Sequence, residues 1–278
     1  MVGQLKGKVA VITGGARGLG RGYALRLARL GADIAVVDRN LNAGDVYQFE
    51  TDLKTAQSVA EECQALNVRA IELEADLTDR ARTFETMEAV AKELGTIDIA
   101  VCNAGGGTVA FADELDDAGG DEPSVDRNTS GTPADCDEET LRRVMDINLS
   151  TCMYTCMAVA PYMKEQQSGK IVTVSSISGL DADRRSHPYG VAKAAIIHYT
   201  RSLAQELGPF NINVNCIAPG IIRTGRLGDR QRLSKYIPLR REGTIEDCAK
   251  VVEFLTTDLC DYVTGKTITI DGGLSNQR

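Results

Sequence analysis

The residue types able to do chemistry gather in one stretch, Ser176 to Lys193, which reads S-I-S-G-L-D-A-D-R-R-S-H-P-Y-G-V-A-K. Tyr189 and Lys193 are four residues apart, so on a helix they stand one above the other on the same face. A phenol beside an ammonium has its ionised form favoured. That matters because free tyrosine titrates near pH ~10, too high for a good base at neutral pH. Ser176, ahead of the helix, offers a hydroxyl to the same reacting oxygen. Alone, the pair is weak evidence, since most Tyr-x-x-x-Lys pairs are two exposed side chains lying side by side. The reading depends on whether the rest of the chain builds a place for a reaction around it.

The elements that would position this stretch alternate regularly. Lys8-Val9-Ala10-Val11-Ile12-Thr13 is an apolar, β-branched run ended by Gly14-Gly15-Ala16-Arg17-Gly18-Leu19-Gly20, after which Leu19, Tyr23, Leu27 and Leu30 repeat at helical spacing. Strand, glycine-rich turn and helix together suit a phosphate: the glycines let the backbone approach, and the helix N-terminus offers N–H groups and a positive dipole end. The next strand, 33–38, ends in Asp38. An acid about 20 residues past the glycines can accept from both ribose hydroxyls and repel a 2′-phosphate, which favours NAD over NADP. Arg39 pulls the other way, because an arginine can meet that phosphate.

Residues 40–50 read as irregular. Helices are expected over 52–66, 80–94, 138–163, 189–207 and 245–256, with strands over 69–75, 97–102, 171–175, 212–217 and 267–270. This alternation predicts an α/β fold, a doubly wound parallel sheet with helices on both faces, in a single domain over 1–278 without repeats or linkers. Asn148 falls in the middle of a helix among Met145, Ile147 and Leu149. Burial of an asparagine there is costly unless its amide is fully hydrogen-bonded.

Composition narrows the function. With 43% hydrophobic and 25% charged residues the chain is an ordinary globular one. No apolar run approaches the ~20 residues that span a bilayer, so no membrane partner is expected. A formal charge of −8 argues against a nucleic-acid partner. The start, Met1 to Lys6, lacks a signal-peptide apolar region, and the scattered cysteines suit a reducing compartment, so a cytoplasmic location is expected. Cys152 and Cys156 share a helix face with neither His187 nor His198 nearby in sequence, which favours packing over zinc.

Two stretches carry unbalanced charge. The acidic one, about 106–137, belongs to a run from Asp113 to Glu139 with eleven acids against one base, Arg127. The basic one, a flap over about 221–243, holds seven bases between Arg223 and Arg241 against one acid, Asp229. With Arg184 and Arg185 they leave the carboxyl edge of the sheet, where open α/β sheets bind ligands. The two loops either pair with each other or leave an arginine to clamp an anionic substrate.

Taken jointly, T-G-x-x-x-G-x-G at Thr13–Gly20, Asn103-Ala104-Gly105, Asn148, Ser176 thirteen residues before Tyr189, Lys193, Pro219-Gly220-x-x-x-Thr224 and the ending Thr264-Gly265 to Asp271-Gly272-Gly273 resemble the short-chain dehydrogenases/reductases over Lys8 to Gly273. The resemblance implies a seven-stranded Rossmann-type sheet and hydride transfer between NAD and a secondary alcohol or ketone. It implies a tetrad in which Tyr189 is the acid/base, Ser176 polarises the substrate oxygen, Lys193 binds the nicotinamide ribose and Asn148 holds a relay water. Ser175 and Ser178 stand as alternatives to Ser176.

For the cofactor it implies Gly14, Arg17, Gly18, Leu19 and Gly20 at the pyrophosphate, Asp38 and Arg39 at the adenosine ribose, and Asp76 and Leu77 at the adenine. Asn103, Ala104 and Gly105 would line the cleft, and Pro219, Gly220, Ile222 and Thr224 would meet the carboxamide and phosphate region. No metal is called for. A homo-oligomer, tetramer or dimer, is implied as well. A non-catalytic dinucleotide sensor on the same fold is the other class of reading, but a sensor has no need of the four tetrad residues together.

Overall fold

The molecule is described here from a computed structural model covering residues 3–106, 136–181, 187–225 and 231–275. Seven strands, β1 (Val9–Thr13), β2 (Asp33–Asp38), β3 (Ala70–Glu74), β4 (Ile99–Cys102), β5 (Gly169–Val174), β6 (Ile212–Pro219) and β7 (Thr267–Ile270), form one parallel sheet. The order is β3-β2-β1-β4-β5-β6-β7, so it reverses direction between β1 and β4. A reversal of this kind opens a crevice beyond the carboxyl ends of the strands.

The helices that matter here are α1 (Gly18–Arg29), α2 (Gln48–Thr51), α3 (Val59–Gln64), α4 (Arg80–Leu94), α5 (Glu138–Met145), α6 (Thr151–Gln166), α7 (His187–Leu207) and α8 (Ile245–Thr256). Successive strand residues face opposite sides of a sheet. Val9 and Val11 therefore enter the core beneath α4, α6 and α7, while Ala10 and Ile12 enter the one beneath α1, α3 and α8. Local signals set the helix ends. Asp79 caps α4 by accepting from the Arg82 N–H at 3.1 Å, and Gly95 ends it with φ +98°. Thr244 and Asp247 form a reciprocal capping box at the start of α8.

Two expectations are corrected. The helix expected over 52–66 is reduced to α3, because carboxylates from its own body reach back and hold the preceding segment in another shape. Glu62 accepts from both the Thr55 N–H and hydroxyl, and Glu61 accepts from the Gln57 N–H. The long helix expected over 138–163 is interrupted by a π-helical turn, Asp146–Ser150, that carries Asn148. Most of the acidic insertion, with Arg184, Arg185, Arg226 and Arg230, lies outside the described residues. No helix among those described is long and apolar enough to cross a membrane.

Candidate active site

The glycine turn is shaped by a lock between the ends of β1 and β4. The Thr13 hydroxyl accepts from the Asn103 and Ala104 N–H groups, both at 3.0 Å. The Asn103 amide donates to the Thr13 and Gly14 carbonyls at 3.1 and 3.0 Å. Gly14 has φ +63°, a left-handed conformation that glycine adopts at little cost. A Cβ on Gly20 would overlap the Gly14 carbonyl oxygen. The turn leads into α1, whose N-cap, Arg17, makes no side-chain cap bond. Uncapped N–H groups at a helix start, reached over a turn without side chains, suit a pyrophosphate.

Asp38, at the carboxyl end of β2, accepts from the Ala16 and Asn40 N–H groups, both at 3.2 Å. Its carboxylate thus sits against the glycine turn. Beside it opens a cavity of about 770 Å³ lined by Arg39, Asp76, Thr78, Arg142, Arg143 and Asp146, among others. Asp76 is exposed and accepts from the Thr78 N–H and hydroxyl. Leu77, expected at the adenine, is buried in the core beneath α4. Leu19 is partly buried against the opposite core.

On the other side of the reversal, two glycines set the spacing. A Cβ on Gly179 would stand 2.6 Å from the Lys193 carbonyl carbon, and one on Gly190 would stand 2.8 Å from the Ser178 carbonyl oxygen. With no side chain at either place, the turn Ile177–Gly179 lies directly against α7. Ser176 stands at the head of that turn. Its oxygen accepts from the Ser178 N–H at 3.2 Å, which leaves its proton to donate.

Ser175 is buried, and its hydroxyl donates to the Lys193 carbonyl at 2.7 Å, so it ties strand to helix. Lys193, 3% exposed, donates from Nζ to the Val174 carbonyl at 2.9 Å and lies 5.5 Å from the Tyr189 ring centroid. Tyr189 itself is half-buried.

Asn148 is 1% exposed and its amide is well occupied. Nδ2 donates to the Gly106 and Val144 carbonyls, both at 3.0 Å, while Oδ1 accepts from the Gly106 N–H at 2.9 Å. A Cβ on Gly105, whose φ is +142°, would stand 2.8 Å from that Oδ1. The turn after β4 and the π-turn are therefore one unit. On the β6 side, Gly220 packs against Asp271 and Ile222 is buried.

Sequence reasoning missed a strap. Residues 43–54, after β2, reach across the crevice. Glu50 accepts from the Gly225 N–H at 3.1 Å and pairs with Arg17 at 3.7 Å. Arg17 stacks over Tyr47 and Arg223 over Phe49. Burial pushes the Glu50 carboxyl up, against the pull of Arg17. The basic flap's described charges also find local partners: Arg223 has Phe49, and Arg241 pairs with Asp247 at 2.6 Å. In the sequence the strap shows only as Tyr47, Phe49 and Glu50 within an irregular segment.

Fold and site together define an oxidoreductase on a doubly wound nucleotide-binding sheet. The chain belongs to the short-chain dehydrogenase/reductase family. A family model described as enoyl-(acyl carrier protein) reductase matches residues 14–275. The chain is 46% identical over 285 residues to the cyclohexanol dehydrogenase of Rhodococcus sp. (strain TK6), covering 98% of this chain and 97% of that one.

Among solved structures, a short-chain dehydrogenase/reductase from Mycobacterium marinum superposes with TM-score 0.80 at 32% identity, over 98% of this chain and 97% of that one. An NAD⁺-bound xylitol dehydrogenase gives TM-score 0.80 at 27% identity, over 97% and 99%.

Proposed function

We propose that this chain is an NAD-dependent dehydrogenase of small, cyclic secondary alcohols that also reduces the corresponding ketones. The observation that carries the reading is the buried Lys193 ammonium, anchored on the Val174 carbonyl within 5.5 Å of the Tyr189 ring centroid. In oxidation, the Tyr189 oxygen takes the proton from the substrate hydroxyl while Ser176 donates a hydrogen bond to the same oxygen. Lys193 steadies the charge that passes through the phenol. Bound NAD would accept the hydride.

Asn148 acts as a positioning residue. With Nδ2 occupied by two carbonyls, a relay water would have to bind one of its acceptors. Asp38 supports NAD through its position against the glycine turn. Arg39, Arg142 and Arg143 around the adjoining cavity support a second reading in which NADP is accepted. The cyclic substrate rests on the 46% identity to a cyclohexanol dehydrogenase. Met157 on α6 and Val191 on α7 are exposed apolar residues that support assembly through these two helices.

The test is a panel of cyclohexanol, open-chain secondary alcohols, hydroxysteroids and hydroxy acids, each with NAD and NADP, followed by the absorbance of reduced nicotinamide. The expected result is turnover of cyclic alcohols with a higher kcat/KM for NAD. No turnover of any secondary alcohol with either cofactor would sink the proposal.

A further inference from the structure

Three sulfurs meet behind the catalytic floor. Cys102 ends β4, Cys152 and Cys156 stand one turn apart on α6, and all three are buried. Their Sγ atoms lie within 4.8 Å of one another, with Cys102 and Cys156 at 3.6 Å. Among the described residues, this is the group of potential metal ligands that converges so closely.

We propose that Cys102, Cys152 and Cys156 form a binding site for one soft, three-coordinate metal cation, of the class represented by copper(I). The donor set is sulfur only, which selects soft cations over magnesium, calcium or manganese. Structural zinc takes four ligands, and this group supplies three.

Geometry agrees. With metal–sulfur bonds of about 2.3 Å, a trigonal centre spaces its sulfurs about 4.0 Å apart. One pair stands at 3.6 Å and no pair is further apart than 4.8 Å, so closing on a cation asks for sulfur shifts of under roughly an ångström. Such shifts are within reach of a cysteine χ1 adjustment at modest cost.

The thiols must lose their protons to solvent on binding, and the cation enters and stays in the same oxidation state. The Cys152 thiol also feels the charge of the Lys193 ammonium. That ammonium also offsets the net negative charge that three thiolates leave around a monovalent cation. Sequence spacing shows Cys152 and Cys156 on one face. The third donor comes from a neighbouring strand and is visible only in the fold.

The test uses the full chain carrying C136A, which removes a partly exposed thiol, kept reduced and free of oxygen. Copper(I) is titrated in competition with a chromogenic copper(I) chelator. The expected result is one equivalent retained against the chelator, a sulfur-to-copper absorption band in the ultraviolet and a raised Tm. C102A, C152A and C156A should each weaken binding at least about tenfold, the loss expected for one of three ligands, while C63A and C248A leave it unchanged.

X-ray absorption on the loaded C136A chain needs no cluster substitution. Three sulfur neighbours at a single distance support the site. Nitrogen or oxygen neighbours overturn it, as does failure to retain copper, or retention that survives all three cluster substitutions.

Discussion

The two sides of the β1–β4 reversal build their share of the site by different means. On the β1–β3 side the working surface is backbone. Gly14 and Gly20 remove side chains from the turn, Asn103 reaches over from the end of β4 to bind its carbonyls, and α1 offers its uncapped end. On the β4–β6 side the groups proposed to work are side chains, Ser176, Tyr189 and Lys193, on a turn and a helix brought together by the bare surfaces of Gly179 and Gly190. A backbone cradle selects for shape and charge and does no chemistry of its own. A side-chain constellation does chemistry but depends on helix register. Cofactor binding and turnover should therefore be separable by mutation.

Tyr189→Phe gives the largest effect. It removes the proton carrier while leaving the cradle intact, so kcat falls by about 10²–10⁴, the usual worth of a general acid/base. The dissociation constant for NAD, measured by fluorescence titration, stays as in the wild type. A variant retaining half its activity breaks the assignment.

Asp38→Ala acts on the other side. It removes the carboxylate that favours the unmodified ribose, and the NAD/NADP ratio of kcat/KM shrinks by roughly 10–100-fold, the scale of hydrogen bonds to a charged group. A wild-type preference for NADP would mean that Arg39 and its neighbours dominate the cavity instead.

The glycines sharpen the comparison. Gly20→Ala and Gly179→Ala both overpack, at about 1–3 kcal/mol each, and both should lower Tm by several degrees. Gly20→Ala weakens NAD binding, whereas Gly179→Ala lowers kcat with NAD affinity preserved. Loss of NAD affinity in Gly179→Ala would erase the division.

The smallest effect concerns the strap. Burial raises the Glu50 carboxyl above its unfolded value, so the folded chain favours the protonated form. That contribution is fully present below the unfolded carboxylate range and is lost as pH rises through the folded value. Glu50→Gln should therefore raise Tm at neutral pH and lose that advantage in acid. Melting curves at the two pH values decide it.

Much of this was legible in the sequence because single residues carried it. The strands 33–38 and 267–270 and the helices 80–94 and 245–256 were read to their ends, since caps and glycines punctuate them. The motif positions marked Ser176, Tyr189 and Lys193, but not Gly179 and Gly190, whose bare surfaces let the turn after β5 lie against α7.

What stayed hidden depends on long-range partners. The strap at 43–54 makes sense only against Arg17, Arg223 and Gly225. The π-turn at Asn148 is visible only once Gly106 bonds to its amide. The false helix over 52–58 was lost to carboxylates competing for backbone N–H groups, although Ser58 three residues ahead of Glu61 had marked the true start.

The lock between Thr13 and Asn103 bears on how the chain comes into being. β1 is made first, yet its neighbour on one side is β4, which follows two further strands and four α-helices. A nascent chain can pair β1, β2 and β3 early, but its glycine turn has no clamp until Asn103 arrives. Nascent chains arrested before and after Asn103 should differ sharply in whether a dinucleotide protects them from proteolysis. The nucleotide cleft thus marks the moment in synthesis when the two sides of the sheet are first joined.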